Sequence, residues 1–227
     1  MFLNIDDWMK EYLNKLQSLF GSRLQFVGLQ GSYGRGEATD SSDIDAVVIL
    51  DRVTPEDLKA YSAMLDLPPN REMVCGFISG KQELIHWERS DLFQFYYDTT
   101  SIFGSIDILR PLIDMEDVHR AVRIGACNIY HSCGNNMVHD KDSKILINLY
   151  KSAAFTVQAI CFIQTVNYKK QKAELIPVLQ PPEREIIQTS IALKHQPDLA
   201  QTEFDRFSEL LFGWAAGLII EYKSEFD

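Results

Sequence analysis

LQFVGLQGSYGRGEATDSSDIDAVVIL, residues 24–50, is the stretch whose parsing decides the fold. Leu24 to Leu29 reads as a strand, Gly31 and Ser32 as a turn, and Ile44 to Leu50 as a second strand. The second run is almost continuously apolar, as a strand covered on both faces should be. Only Asp45 interrupts it. Asp43 and Asp45 are one residue apart, and side chains alternate at period two along a strand, so both carboxylates point to one face. A carboxylate inside an apolar run costs free energy unless it has a partner.

Two acids side by side repel, and a divalent cation is the commonest reason for keeping them together. Mg²⁺ in particular prefers carboxylate and phosphate oxygens. Gly31, Gly34 and Gly36 allow tight turning and close backbone approach to a phosphate. Ser32 adds a hydroxyl donor, and successive N–H groups from Gly31 to Tyr33 can form an anion-binding nest. Arg35, within the same loop, can steady a phosphate or point into water. The plain alternative is an ordinary glycine loop, with Asp43 closing a turn after Ser41 and Ser42.

Around this stretch the chain falls into two kinds of sequence. Residues 5 to 20 form an amphipathic helix, with Ile5, Trp8, Met9, Tyr12, Leu16 and Leu19 as its apolar stripe, Asn4 as N-cap and Gly21 as stop. Thr54-Pro55 opens another helix. Leu67-Pro68-Pro69-Asn70 breaks the chain, and Glu72 to Ser79 reads as a strand. A helix is expected over 81–96 and a strand over 101–109, with a boundary at Arg110-Pro111. Beyond it only helical patterns remain, over 115–132, 142–168, 182–194 and 199–224. The expectation is an α+β chain, with an α/β domain on a small mixed sheet (residues 1–111) followed by a C-terminal helical bundle (residues 112–227).

Composition narrows the partners. The formal net charge of −10 argues against a general nucleic-acid binder, which needs a basic surface. Cys75, Cys127, Cys133 and Cys161 form no CxxC pair, which suits a reducing, cytoplasmic setting. The N-terminal stretch is acidic where a signal peptide is basic. The apolar run Leu210–Ile220 is too short to span a bilayer, and 153–166 is broken by polar residues, so no membrane partner is expected. A homodimer is left open by the sequence.

Gly31-Ser32, ten intervening residues, then Asp43-Ile44-Asp45-Ala46 resembles the signature of the DNA polymerase beta-like nucleotidyltransferase superfamily. Gln30 departs from it, since many members carry an apolar residue there. The layout is most similar to the aminoglycoside (kanamycin-type) nucleotidyltransferases, which join this sheet to a C-terminal helical domain. The resemblance implies Asp43, Asp45 and a third acid as catalytic residues and metal ligands. Glu72, just before the next strand, is the first choice, and Asp107 is the runner-up. It implies nucleotide contacts from Gly31, Ser32, Tyr33 and Arg35, and from Lys151 on the polar stripe Lys144, Asn148, Lys151 and Ser152. The plain alternative for that stripe is a solvated helix face. The implied cofactor is one or two Mg²⁺ ions, with ATP or another nucleoside triphosphate as co-substrate. The implied reaction moves a nucleoside monophosphate, expected to be AMP, to a hydroxyl of a small, aminoglycoside-like acceptor and releases pyrophosphate. The acceptor pocket is expected between the two halves. Transfer to a protein, as in toxin–antitoxin pairs, a silent nucleotide-binding module and a scaffold without a nucleotide site stay open as alternatives.

Overall fold

A computed structural model describes residues 3–40, 42–66 and 71–223. The chain divides into two compact units, Met1–Ile113 and Asp114–Asp227. Ser41, the expected break at Leu67 to Asn70 and the last residue of the expected helix 199–224 lie outside the described residues.

The first unit is built on a four-stranded mixed sheet in the order β3-β2-β1-β4. The strands are β1 (Leu24–Leu29), β2 (Ile44–Leu50), β3 (Val74–Gly80) and β4 (Thr100–Phe103). β1 runs antiparallel to both β2 and β4, whereas β3 runs parallel to β2. Six of the seven residues of β2 are buried, and Asp45 is the exception. Helix α1 (Ile5–Phe20) covers one face. Asn4 caps it by accepting from the Asp7 amide, and Trp8, Tyr12, Leu16 and Phe20 recur at four-residue steps. They pack with Leu24, Val27 and Leu29 of β1 and with Ile44, Ala46, Val48 and Leu50 of β2. Leu19, expected on the apolar stripe, is instead 39% exposed, because the four-residue recurrence places Phe20 on the buried side.

After β1 the chain makes a single helical turn, α2 (Gly31–Gly34), and after β2 it forms α3 (Pro55–Leu65). Thr54 and Asp57 form a reciprocal capping box at the start of α3. The expected helix over 81–96 is two helices, α4 (Lys81–Ile85) and α5 (Arg89–Asp98). The expected strand over 101–109 is shorter. It ends at Phe103, Gly104 takes a positive φ of 72°, and Asp107–Leu112 forms a 3-10 helix.

Every secondary-structure element described in the second unit is a helix. Its elements are α6 (Met115–Asn135), α7 (Ser143–Thr165), α8 (Lys172–Leu175), α9 (Glu183–His195), α10 (Leu199–Thr202) and α11 (Phe204–Glu221). A π-turn over Asn136–Asp140 and left-handed Lys141 separate α6 from α7. Asn136, 1% exposed, bridges that break by donating to the Asp142 carbonyl and accepting from its amide. α7 is long and apolar enough to cross a bilayer by length and composition, yet 61% of its apolar window is buried inside the protein. It is packed between α6 and α9, where Leu146, Ala153 and Val157 are fully buried.

Candidate active site

The 30–36 turn and the start of β2 are built into each other. The Gln30 amide donates to the Asp45 carbonyl at 2.9 Å, and Gly31 follows with φ of 63°. A β-carbon at Gly31 would lie 1.8 Å from Asp45 Oδ2, so only glycine lets the aspartate carboxylate sit against this backbone. Gly34 is needed for a second reason, because a β-carbon there would lie 2.6 Å from the Leu29 carbonyl. The turn is therefore small where it meets the sheet. Its first-turn amides, like those of any helix start, have no intrahelical acceptor and favour an anion.

Asp45 is half-buried and Asp43 exposed. Burial pushes the Asp45 carboxyl above the usual carboxylate range, the Asp43 carboxylate beside it pushes it further, Arg35 opposes this, and Asp98 adds to it. This like-charge, partly desolvated pair is what a cation would relieve. The donor set is all oxygen, which suits a hard ion such as Mg²⁺. Among the described residues no group of three or more His, Cys, Asp or Glu side chains is arranged to hold a metal. Two carboxylates completed by substrate phosphates and water is the usual way Mg²⁺ is held in nucleotide sites.

Gly31, Ser32, Asp43 and Asp45 are brought together, and Arg35 lies close enough to act on Asp45. Glu72 is exposed on the 3-10 turn Arg71–Met73, before the first β2–β3 rung at Ile44↔Val74. The ladder position facing Asp45 on β3 is Cys75, so the neighbouring strand offers no carboxylate in register. Asp107 departs from its expected place on a strand and begins the 3-10 helix Asp107–Leu112. Its carboxylate accepts from Ser105 Oγ at 2.7 Å and Tyr96 Oη at 3.3 Å as a local cap. The Tyr33 side chain, 8% exposed, belongs to the core, which leaves only its backbone for a phosphate. Arg35 does not point into water. It donates to Asp98 Oδ2 at 2.8 Å and to Glu37 Oε2 at 3.4 Å. Lys151 is on the exposed face of α7 in the second unit, together with Lys144, Asn148 and Ser152.

Asp98 is the residue that sequence reasoning missed. It ends α5 in the run Tyr96-Tyr97-Asp98-Thr99-Thr100, is 4% exposed, and lies close enough to act on Asp45. An acid at a helix C-terminus opposes the helix dipole, and that was the available signal. A cavity of about 70 Å³, lined by Gln25, Lys81 and Ser105 as well as by Phe26, Ile49 and Leu109, lies at the opposite end of β1 and β2 from the aspartates and takes no part in this site.

The solved structure of spectinomycin adenyltransferase AAD(9) from Enterococcus faecialis, with ATP and spectinomycin, superposes with a TM-score of 0.56. The superposition covers 91% of this chain and 98% of that one at 14% identity, which is a likeness of fold. A Methanocaldococcus jannaschii protein provisionally named a protein adenylyltransferase is 39% identical over 49 residues. That match spans 22% of this chain and about half, 49%, of the relative. The family model for the nucleotidyltransferase domain matches residues 9–126, just over half of the chain, including the glycine turn and both aspartates. The chain therefore belongs to the nucleotidyltransferase domain family, a family of transferases, and carries its α+β fold.

Proposed function

We propose that the protein transfers AMP from Mg–ATP to a hydroxyl of a small acceptor and releases pyrophosphate. The observation that carries this reading is the contact of Gly31 with Asp45, which joins an anion-binding turn to a cation-binding pair. Ser32 and the amides of Gly31 to Tyr33 grip the triphosphate tail. Asp43 and Asp45 would hold Mg²⁺, whose charge would offset that of the phosphates and of the departing oxygen. The acceptor oxygen forms a bond to the α-phosphorus as the bond from that phosphorus to the pyrophosphate oxygen breaks. The hydroxyl proton is lost to a base, for which Glu72, exposed on the 3-10 turn before β3, is our candidate. Its second candidate role is as the third carboxylate of the site. The work of the protein is positioning and electrostatic stabilisation, so removing either aspartate should slow transfer on the order of 10³-fold or more.

The acceptor we favour is a polyhydroxylated small molecule of the aminoglycoside or aminocyclitol kind. This rests on the likeness of fold to a spectinomycin adenyltransferase and on the net charge of −10, which suits a cationic acceptor. A protein acceptor is the second reading, favoured by the 49-residue likeness to the archaeal relative. The test is pyrophosphate release from Mg–ATP in the presence of a panel of antibiotics, with mass spectrometry of the products and of co-purified proteins. Release that depends on an antibiotic, with an AMP mass added to it, is expected. An AMP mass on a protein instead would favour the second reading. No release with any acceptor, matched by the Asp43→Ala, Asp45→Ala variant, would overturn the assignment.

A further inference from the structure

The 30–36 turn is fastened to the α5–β4 joint by more bonds than a surface turn needs. Gln30 Nε2 donates to the Phe95 carbonyl at 3.3 Å and to Thr99 Oγ1 at 2.7 Å. Thr100 Oγ1 donates to the Gly34 carbonyl at 3.1 Å. Arg35 Nη1 donates to Asp98 Oδ2 at 2.8 Å, with the two side chains 10% and 6% exposed. The other oxygen of Asp98, Oδ1, is buried and has no hydrogen-bond partner among the described residues.

As a stabilising device this pair is poor. Burying two charges costs most of what their attraction returns, and an unsatisfied carboxylate oxygen adds to that cost. What such a pair does well is fix geometry, because the planar guanidinium locks direction as well as distance. Here the geometry concerns Gly31, whose backbone abuts Asp45 Oδ2, and Arg35, which closes the same turn by donating its amide to the Gly31 carbonyl at 3.1 Å. A shift of the turn either closes it onto the aspartate or opens a gap between the phosphate donors and the carboxylates.

We propose that Asp98 is a positioning residue for nucleotide binding, which by holding Arg35 sets the Gly31–Ser32 amides at the spacing from Asp45 that lets one triphosphate reach both. The inference rests on the nucleotidyltransferase reading of this site. It places a residue outside the glycine and aspartate motifs in control of the phosphate grip.

The experiment measures the affinity of the full chain for a non-hydrolysable ATP analogue with Mg²⁺, and for adenosine, by calorimetry. Parent, Asp98→Asn, Arg35→Lys and the Asp98→Asn, Arg35→Gln double variant are compared at a temperature where circular dichroism shows each folded. Asp98→Asn is expected to weaken the triphosphate at least tenfold and adenosine by less than twofold. Arg35→Lys, which keeps the charge but loses the fork, is expected to act in the same direction and less strongly. The double variant should bind the triphosphate no worse than Asp98→Asn, because the two residues act as one unit. A purely structural role would lower the affinity for both ligands together, since it acts through the folded fraction, and that result would overturn the proposal. Equal triphosphate affinity in parent and Asp98→Asn would overturn it too, while leaving the function standing. A parent that fails to bind the analogue would overturn both.

Discussion

At one end of β2, Asp51 and Asp57 meet Arg23; at the other, Asp43 and Asp45 meet each other. The Arg23 guanidinium donates two bonds to Asp57 at 2.7 and 2.9 Å, one to Asp51 at 3.1 Å and one to the Arg52 carbonyl at 2.9 Å. Asp57 also accepts from the amide and hydroxyl of Thr54. Those bonds, the arginine's first, hold the Asp57 carboxyl well below the usual carboxylate range. Burial and like charge push Asp45 the other way. The same strand thus carries a satisfied corner that favours folding with its charges on, and an unsatisfied corner that disfavours it. The first is how a protein uses carboxylates for stability, and the second is how it reserves them for a ligand.

Substitutions at the two corners should therefore separate. The largest effect is expected from Gly31→Ala. A non-glycine residue in the left-handed region costs about 1–2 kcal/mol, and the added carbon collides with Asp45 Oδ2. Both Tm and Mg–ATP affinity should fall, with transfer reduced to the background level. Normal binding by this variant would break the claim that turn and aspartate form one site.

Asp45→Asn comes next and should split function from stability. Transfer should drop on the order of 10³-fold, while Tm in metal-free buffer at pH 7 should rise. The folded-state pKa of Asp45 lies above the unfolded value of about 3.9, so folding carries no penalty below that pH and an increasing one as pH rises through the folded value. Parent and variant should accordingly converge in Tm near pH 4. A variant less stable than the parent at pH 7 would contradict the assignment of Asp45 as a strained carboxylate.

Asp57→Asn should do the reverse, lowering Tm at pH 7 while leaving nucleotide affinity within about twofold. Its folded-state pKa is depressed, so its contribution is complete above the unfolded value of about 3.9 and is lost as pH falls toward the folded one. The smallest effect belongs to Asp107→Asn. An exposed local cap should change stability by no more than about 0.5 kcal/mol and leave Mg–ATP affinity unaltered. A large loss of affinity there would place Asp107 in the metal set.

Much of this was legible before the fold was known. Strands β1 and β2 and helix α1 follow from apolar runs and capping residues close in sequence, and the glycine-serine and aspartate pairs lie within a single supersecondary unit. What escaped depends on contacts between distant segments. The run Ser105 to Leu109 has strand composition, but Gly104 turns the chain out of the sheet, and Ser105 and Asp107 then satisfy each other locally. Arg35 reads as steadying a phosphate or pointing into water until α5 brings Asp98 to it across 63 residues. Glu72 precedes an apolar strand as an in-register acid would, but the ladder starts two residues later. The purpose of Gly31 was half visible, because a glycine that admits a phosphate and one that admits an aspartate look the same in sequence.

The central claim, that the turn and the aspartate pair are one nucleotide site, is tested most directly by the melting temperature with and without Mg–ATP, in the parent and in the Asp43→Ala, Asp45→Ala variant. Ligand at 100 times Kd stabilises by about 2.7 kcal/mol, roughly 5–10 °C for a chain of this size. The account predicts a shift of that size in the parent that requires Mg²⁺ and vanishes in the variant. An equal shift in both proteins, or none in the parent at millimolar Mg–ATP, would contradict it.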